Sequence, residues 1–432
     1  MIRARLLVVS GWALAALVWG AGGGAAQERC PSATGIVGGL KQPQAAVRYL
    51  ADDSLQGRLA GSRGERCAGA YLAREFRRLG LEPAGDSGTY FQSLPLASVL
   101  NLHFQGGTGR NVVGLLPGRD AQGPVVVVGA HYDHLGLGGP MSGSLAPDDV
   151  GVVHHGADDN ASGTAALLEV AGRLAREPRA RASILFVAFT GEEEGLLGSN
   201  YFGLHPTVPL ARMRAMLNMD MVGRLGTGKL LVYGTGTAAE WPGILATADA
   251  GKDSLTLSEI GDGYGASDQT SFYSRDVPVL HFFTNVHSDY HKPSDTWDKL
   301  DYPGVERVAG LVARVAANVA SRPAPLTLIR GAGKPEKADA VATPGYGAYL
   351  GTVPDFTPVE KGVKISGVRG GSPAEKAGLK AGDIIVAFDD TEIKDLYAMT
   401  DGLRARKAGD SVRITVLREG QPVTMTAVLG KR

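Results

Sequence analysis

Six short apolar runs punctuate the first three quarters of this chain: Val112–Leu116, Val125–Val128, Ile184–Phe189, Ala215–Met219, Leu230–Tyr233 and Val279–Phe283. Each has the length of a strand, and they read as continuous apolar runs rather than as the alternation of a strand with one wet face. Helical spacing appears around them, in Gln44–Asp52, Gly64–Leu79, Ser162–Leu174 and Gly304–Ala320. In the second of these, Ala68, Tyr71, Leu72, Phe76 and Leu79 share one face before Gly80 ends the helix. Buried strands alternating with helices predict an α/β protein of three layers, a sheet covered by helices on both faces.

Polar side chains follow several of these runs. His131 and Asp133 stand in GAHYDH, Asp159 in GADDNASG, Glu192 and Glu193 in GEEEGLLGS, Asp220 in NMDMVG, and His291 in DYHKPSDT. The carboxyl ends of strands in an open α/β sheet are where such folds place their sites. Taken singly, His131 reads as a strand-end histidine, Asp220 as a turn or cap, and GEEEG as a solvated helix start. Together and in this order they read as a metal centre. Two histidines with three carboxylates suit zinc, with manganese or cobalt as alternatives. Five protein ligands exceed what one open tetrahedral zinc uses; they fit two ions about 3.5–4 Å apart sharing a carboxylate and a water. Glu192 is then left free as general base. His134, His154, His155, His281 and His287 are not read as ligands, and His103 and His205 read as surface or packing residues.

Lys+Arg and Asp+Glu balance at 44 each, so no global charge points to nucleic acid or an anionic membrane. Arg3 and Arg5, the apolar run from Leu6 to about Trp19 and the small residues Ala21–Ala26 predict a secretory signal over 1–26, hence a periplasmic or secreted protein. That run is shorter than the roughly 20 residues a spanning helix needs, and no later segment is long enough either. Cys30 and Cys67 are the two cysteines; whether they pair is left open by the sequence.

HYDH, GADDNASG, EEEGLLGS, NMDMVG and HKPSDT resemble, in order, the metal motifs of the co-catalytic zinc aminopeptidase family. That family includes bacterial leucyl aminopeptidase, aminopeptidase Y, glutamate carboxypeptidase and glutaminyl cyclase. The resemblance implies two zinc ions, one held by Asp159, Glu193 and His291 and the other by His131, Asp159 and Asp220. It also implies a bridging role for Asp159, orientation of His131 by Asp133, and a strained Asp159–Asn160 peptide. DGYGASDQTSF resembles the segment lining the family's substrate cleft, so Tyr264 is expected to stabilise the tetrahedral intermediate, with Asp268 and Asp295 as supporting carboxylates. The activity implied is removal of N-terminal residues from peptides. A carboxypeptidase or an N-acyl amino acid hydrolase is the alternative, for which Arg224 and Arg275 are the candidate carboxylate binders; a non-enzymatic adaptor is a third.

Residues 27–320 are thus expected to form the metallopeptidase domain and the Pro-, Ala- and Lys-rich 321–343 a linker. Residues 344–432 change grammar. Short strands at Val363–Val368, Ile384–Phe388, Ser411–Leu417 and Val423–Val428, with two short helices between turns, predict a small, mainly β module. SPAEKAGLKAGD makes it resemble a PDZ domain of the bacterial type. The resemblance implies a carboxylate-binding loop at Tyr349, Leu350, Gly351 and Thr352, taking a peptide C-terminus as ligand.

Overall fold

The structure is a computed structural model describing residues 30–96, 107–139, 142–144, 146, 149–226, 228–251, 253–331, 348–354, 359–368, 371–394 and 396–430. The expected secretory signal and residues 332–343 of the expected linker lie outside the described residues. Among the described residues no helix is long and apolar enough to cross a membrane. Both cysteines are disulfide-bonded.

Nine strands build the larger sheet: β1 (Glu82–Pro83), β2 (Phe91–Pro95), β3 (Thr108–Leu116), β4 (Val125–His131), β5 (Ser183–Phe189), β6 (Met213–Met219), β7 (Leu230–Tyr233), β8 (Leu257–Ile260) and β9 (Val279–Phe283). Their order is β1-β3-β5-β4-β6-β9-β7-β8, with β2 paired to β3. The centre is parallel, β4 lying between β5 and β6 and β6 beside β9, while β3 and β7 join it antiparallel. Helices α1 (Ala33–Val37), α2 (Gln44–Leu50), α3 (Arg63–Arg78), α4 (Gly163–Arg176), α5 (Leu197–Leu204), α6 (Trp241–Ala248), α7 (Gln269–Tyr273) and α8 (Tyr302–Ser321) accompany it.

The absence of polar alternation in the strands has a direct structural counterpart. Val126, Val128, Phe186 and Ala188 pack into one cluster with α4 and α8, through residues such as Leu167, Val170, Val308 and Val312. Their neighbours Val125, Val127, Leu185, Val187 and Phe189 enter a second cluster with Phe202 of α5 and Phe272 of α7. Successive strand side chains point to opposite faces, so a sheet dry on both faces is apolar at most positions, with buried polar exceptions such as Asn218 of β6 and His281 of β9. Burying each such Val, Leu or Phe contributes roughly 1.5–3 kcal/mol.

Local signals set the helix ends. The Ser62 hydroxyl accepts the Glu65 N–H at 3.1 Å to start α3, and the Asp301 carboxylate accepts the Gly304 N–H at 3.0 Å to start α8. The expected helix at Ser162 differs at its start. Residues Ala157–Ser162 form an irregular wide turn with Asp159 and Asn160 off helical angles, and the regular helix begins at Gly163. After α8, the chain stays on this domain through 331: Ile329 donates to Thr237 O at 2.8 Å, and Arg330 pairs with Asp276 at 2.7 Å.

Strands β10 (Thr352–Pro354), β11 (Val363–Val368), β12 (Ile384–Phe388), β13 (Thr391–Glu392), β14 (Ser411–Arg418) and β15 (Gln421–Val428) form the second sheet, all antiparallel. With α9 (Pro373–Ala377) and α10 (Leu396–Arg404) they enclose a separate core of Leu350, Ile365, Ile385, Phe388, Ile414 and Val416. Helix α9 follows from its sequence: Ser372 caps it, Pro373 fits its first turn, and Gly378 ends it at φ 88°.

Candidate metal centre

Strands β5, β4, β6 and β9 run parallel, so their carboxyl ends meet at one edge of the sheet. His131 is the last residue of β4, Glu192 and Glu193 follow β5 by three and four residues, and Asp220 immediately follows β6. Asp159 enters from the wide turn before α4, and His291 from the loop after β9.

These side chains converge. Asp159 Oδ1 lies 3.4 Å from His131 Nε2, whose other near oxygen is Asp220 Oδ1 at 3.3 Å. Asp159 Oδ2 lies 3.1 Å from His291 Nε2, which is also 3.1 Å from Glu193 Oε2. One carboxylate thus faces two separate imidazole–carboxylate pairs. His131, Asp159 and Glu193 form one possible metal-holding group, and His131, Glu192 and Asp220 another.

The electrostatics follow from this crowding. Burial opposes charge on His131, but Asp220 and Glu192 outweigh it and hold the imidazole well above its ordinary pKa. Burial likewise opposes charge on His291, where Glu193 and Asp159 win in the same direction. Asp159, despite burial, is held well below the carboxylate range by the two histidines. Burial and Asp159 push Glu193 up, while His291 and His134 bring it down to about 2. Glu192 goes the other way: burial, reinforced by Asp220, Glu193 and Asp268 and opposed by His131, lifts it well above its ordinary value. Two buried imidazoles holding protons among buried carboxylates is the charge pattern that bound cations would replace. The donor set therefore fits metal ions.

The surroundings are built as closely. Asp133 Oδ1 is 3.6 Å from His131 Nδ1, beyond hydrogen-bond length. Its carboxylate also accepts the backbone N–H of Glu192 at 3.2 Å and of Glu193 at 3.4 Å. Asp133 thus faces the ring of His131 and also holds the loop carrying both glutamates, because the chain turns sharply after β5 and presents its amides there. His291 Nδ1 donates to Gly143 O at 2.9 Å, which leaves Nε2 directed at the carboxylates. Asp295 Oδ2 accepts the N–H groups of Asp158 and Asp159 at 2.8 and 3.1 Å. Asp268 is fully buried, neither of its carboxylate oxygens meets a hydrogen-bond donor among the described residues, and burial raises it to about 7.

Three positions have contacts that the sequence reading did not give them. Asn160 donates to Met219 O at 3.0 Å and accepts from Gly163 and Met221 at 2.8 and 3.2 Å, tying the Asp159 turn to the exit of β6; the Asp159–Asn160 peptide is cis. Arg58 is the one lysine or arginine fully buried among the described residues. It donates to the carbonyls of Tyr132, Leu50, His155 and Gly156 at 2.7, 2.5, 2.7 and 2.9 Å, clamping the loops that carry His131 and Asp159. Burial lowers it to about 10, so it stays charged at neutral pH, with Asp133 and Asp159 among the charges that offset it. His134 is the third, at 2.7 Å from Glu193 Oε1. Its signal was present in the sequence, one residue after Asp133.

Other expected residues stand farther out. Tyr264 lies in the loop before α7, half-buried, its ring edge-on to Tyr273 at 4.7 Å. Arg224 pairs with Asp289 at 3.2 Å and Asp295 at 3.4 Å, and Arg275 with Asn200 at 2.6 Å and the Ser271 carbonyl at 2.6 Å. His155 bonds Asp53 and the Pro293 carbonyl, and His287 bonds Asp158. In the second sheet, Tyr349 exchanges backbone bonds with Gly430, so its N–H is already used. Gly351 turns at φ 87°, where an added Cβ would lie 2.3 Å from Ser372 Cβ.

Comparison with known proteins agrees with this geometry. Residues 111–316 match peptidase family M28, and residues 349–429 match the PDZ domain. A protein of Trichophyton verrucosum named probable leucine aminopeptidase is 30% identical over 225 residues, 49% of this chain and 56% of that protein. The chain spans about half the length of the curated relatives it matches. The structure of a zinc aminopeptidase from Bacillus subtilis gives a TM-score of 0.51 at 20% identity, over 65% of this chain and 94% of that one. The glutaminyl cyclase of Porphyromonas gingivalis gives 0.52 at 19% identity, over 64% and 96%. These two likenesses speak for the fold alone. With the sheet, the convergent ligands and both family matches in agreement, the chain carries a domain of peptidase family M28, the co-catalytic zinc aminopeptidase family, followed by a C-terminal PDZ domain.

Proposed function

We propose that the protein is an exported aminopeptidase that uses two zinc ions to remove N-terminal residues from peptides. The observation that carries this reading is the division of Asp159, one oxygen toward His131 and the other toward His291. In this reading His131, Asp159 and Asp220 hold one ion and Asp159, Glu193 and His291 the other. Bound there, the ions would supply Lewis-acid polarisation of the scissile carbonyl and a water of lowered pKa.

The chain's own groups do the rest. Glu192, made a stronger proton acceptor by burial, takes the proton of the attacking water and passes it to the leaving amine. Asp133 fixes the loop that presents it. Tyr264 donates to the developing oxyanion. Arg224 and Arg275, the candidates for a substrate carboxylate, are committed to partners inside the fold, which favours the aminopeptidase over a carboxypeptidase. The PDZ domain takes a peptide C-terminus at Leu350–Thr352, whose first two N–H groups meet no backbone acceptor among the described residues. Export rests on the charged and apolar N-terminal segment.

The test is Glu192→Gln in zinc-replete protein assayed on a leucyl anilide. A loss of about two to four orders of magnitude in kcat with unchanged zinc content is expected. Near-normal turnover at full zinc content would refute the assignment.

A further inference from the structure

His134 is fully buried, and it touches three parts of the centre. Its Nδ1 is 2.7 Å from Glu193 Oε1 and 4.0 Å from Asp159 Oδ2, and its ring meets that of His291 edge-on at 5.8 Å between centroids. On the other side it rests against the loop leading to Asp159: a Cβ at Gly156 would come within 2.5 Å of the ring. The 2.7 Å contact is shorter than the spacing of two ligand atoms on one tetrahedral zinc, roughly 3.3 Å from bonds of about 2.0 Å. It is a hydrogen bond, not shared coordination.

A carboxylate only accepts, so Nδ1 carries the proton. In the neutral ring Nε2 is then bare, and Nε2 is the buried atom without a partner. That tautomer spares the fold an unpaired buried N–H. With Oε1 engaged by His134, Glu193 turns Oε2 to His291. Meanwhile Asp133 holds the Glu193 amide, so adjacent residues fix both backbone and side chain of one ligand.

We propose that His134 is a positioning residue for the Glu193–His291 half of the centre, setting the affinity of that half without serving as a ligand. This rests on the two-zinc reading. It predicts an asymmetry, because the His131–Asp220 half receives no bond from His134.

The test is zinc titration of the metal-stripped full chain by calorimetry, with bound zinc counted by mass spectrometry, for wild type, His134→Ala and His134→Asn. Asparagine offers an N–H donor near the position of Nδ1. The expected result is two zinc ions in the wild type and a roughly 10–100-fold weaker second ion in His134→Ala, the first unchanged. His134→Asn should recover the second ion. Two ions at wild-type affinity in His134→Ala would overturn the proposal, and so would equal weakening of both with no recovery in His134→Asn. If His134→Ala fails to fold, His134→Asn decides by the same criterion, retaining or losing the second ion. A wild type that takes up one zinc at saturation would instead sink the two-zinc reading, and this proposal with it.

Discussion

The carboxylate of Asp133 accepts the backbone N–H of Glu192 at 3.2 Å. A residue two places beyond the end of β4 thereby fixes the loop after β5, and the two parallel strands are locked at the edge where they deliver the candidate ligands. In Asp133→Asn an amide group can face that N–H, and the hold weakens. A fall in kcat of about 10–100-fold is expected, with zinc retained. Steady-state kinetics with zinc analysis checks it; unchanged kcat would mean that the loop holds itself.

Asp159 serves both halves of the centre and Asp220 only one. Asp159→Ala should therefore lose both ions and Asp220→Ala only the one shared with His131. Metal counting after dialysis separates the two cases. Equal losses in the two variants would contradict the bridging role.

Glu65 offers a prediction away from the candidate metal centre. Burial raises it to about 7, partly offset by the Tyr132 hydroxyl and the Arg110 N–H. The Tyr132 hydroxyl lies 2.5 Å from Glu65 Oε1 and 2.6 Å from Arg110 O, and one proton cannot serve both acceptors. A protonated Glu65 donating to Tyr132 resolves this. The folded pKa is above the unfolded value of 4.5, so this contribution is full below pH 4.5 and is lost as pH rises through about 7. The loss amounts to about 3 kcal/mol. Glu65→Gln keeps a neutral group, so its stability relative to wild type should rise between pH 4.5 and 8 in urea unfolding. Parallel pH profiles for the two proteins would refute the protonated state.

Gly351 makes the PDZ loop testable. Its φ of 87° and the 2.3 Å approach to Ser372 leave no room for a side chain. Gly351→Val should abolish binding of C-terminal peptides in fluorescence polarisation while kcat on a small anilide stays unchanged. Undiminished peptide binding would move the ligand site elsewhere.

The central sheet was legible because most side chains of a doubly covered strand must be apolar, and runs such as 125–128 and 184–189 are read off directly. The convergence of His131, Glu192, Glu193 and Asp220 was legible for a related reason: parallel strands that end together deliver their next residues to one edge. Helices α5 and α7 were not foreseen. They are eight and five residues long, too short to show a period, and are held by packing of Phe202 and Phe272 on the sheet. The bonds of Arg58 and of the Asn160 side chain were invisible for another reason. Their partners are backbone groups up to 98 residues away for Arg58 and up to 61 for Asn160, and such bonds leave no trace in residue type. Asp133 shows the middle case: it stands beside the ring it was expected to orient, and it also bonds loop amides that residue type does not announce.

The most direct measurement is digestion of a mixed peptide pool, half of it N-acetylated, by the zinc-loaded protein and by a chelated control, followed by mass spectrometry. Stepwise loss of residues from free N-termini, absent on the acetylated peptides and after chelation, is the predicted result. Metal-dependent loss from C-termini, release of the acetyl group, or no metal-dependent cleavage at all would contradict the aminopeptidase.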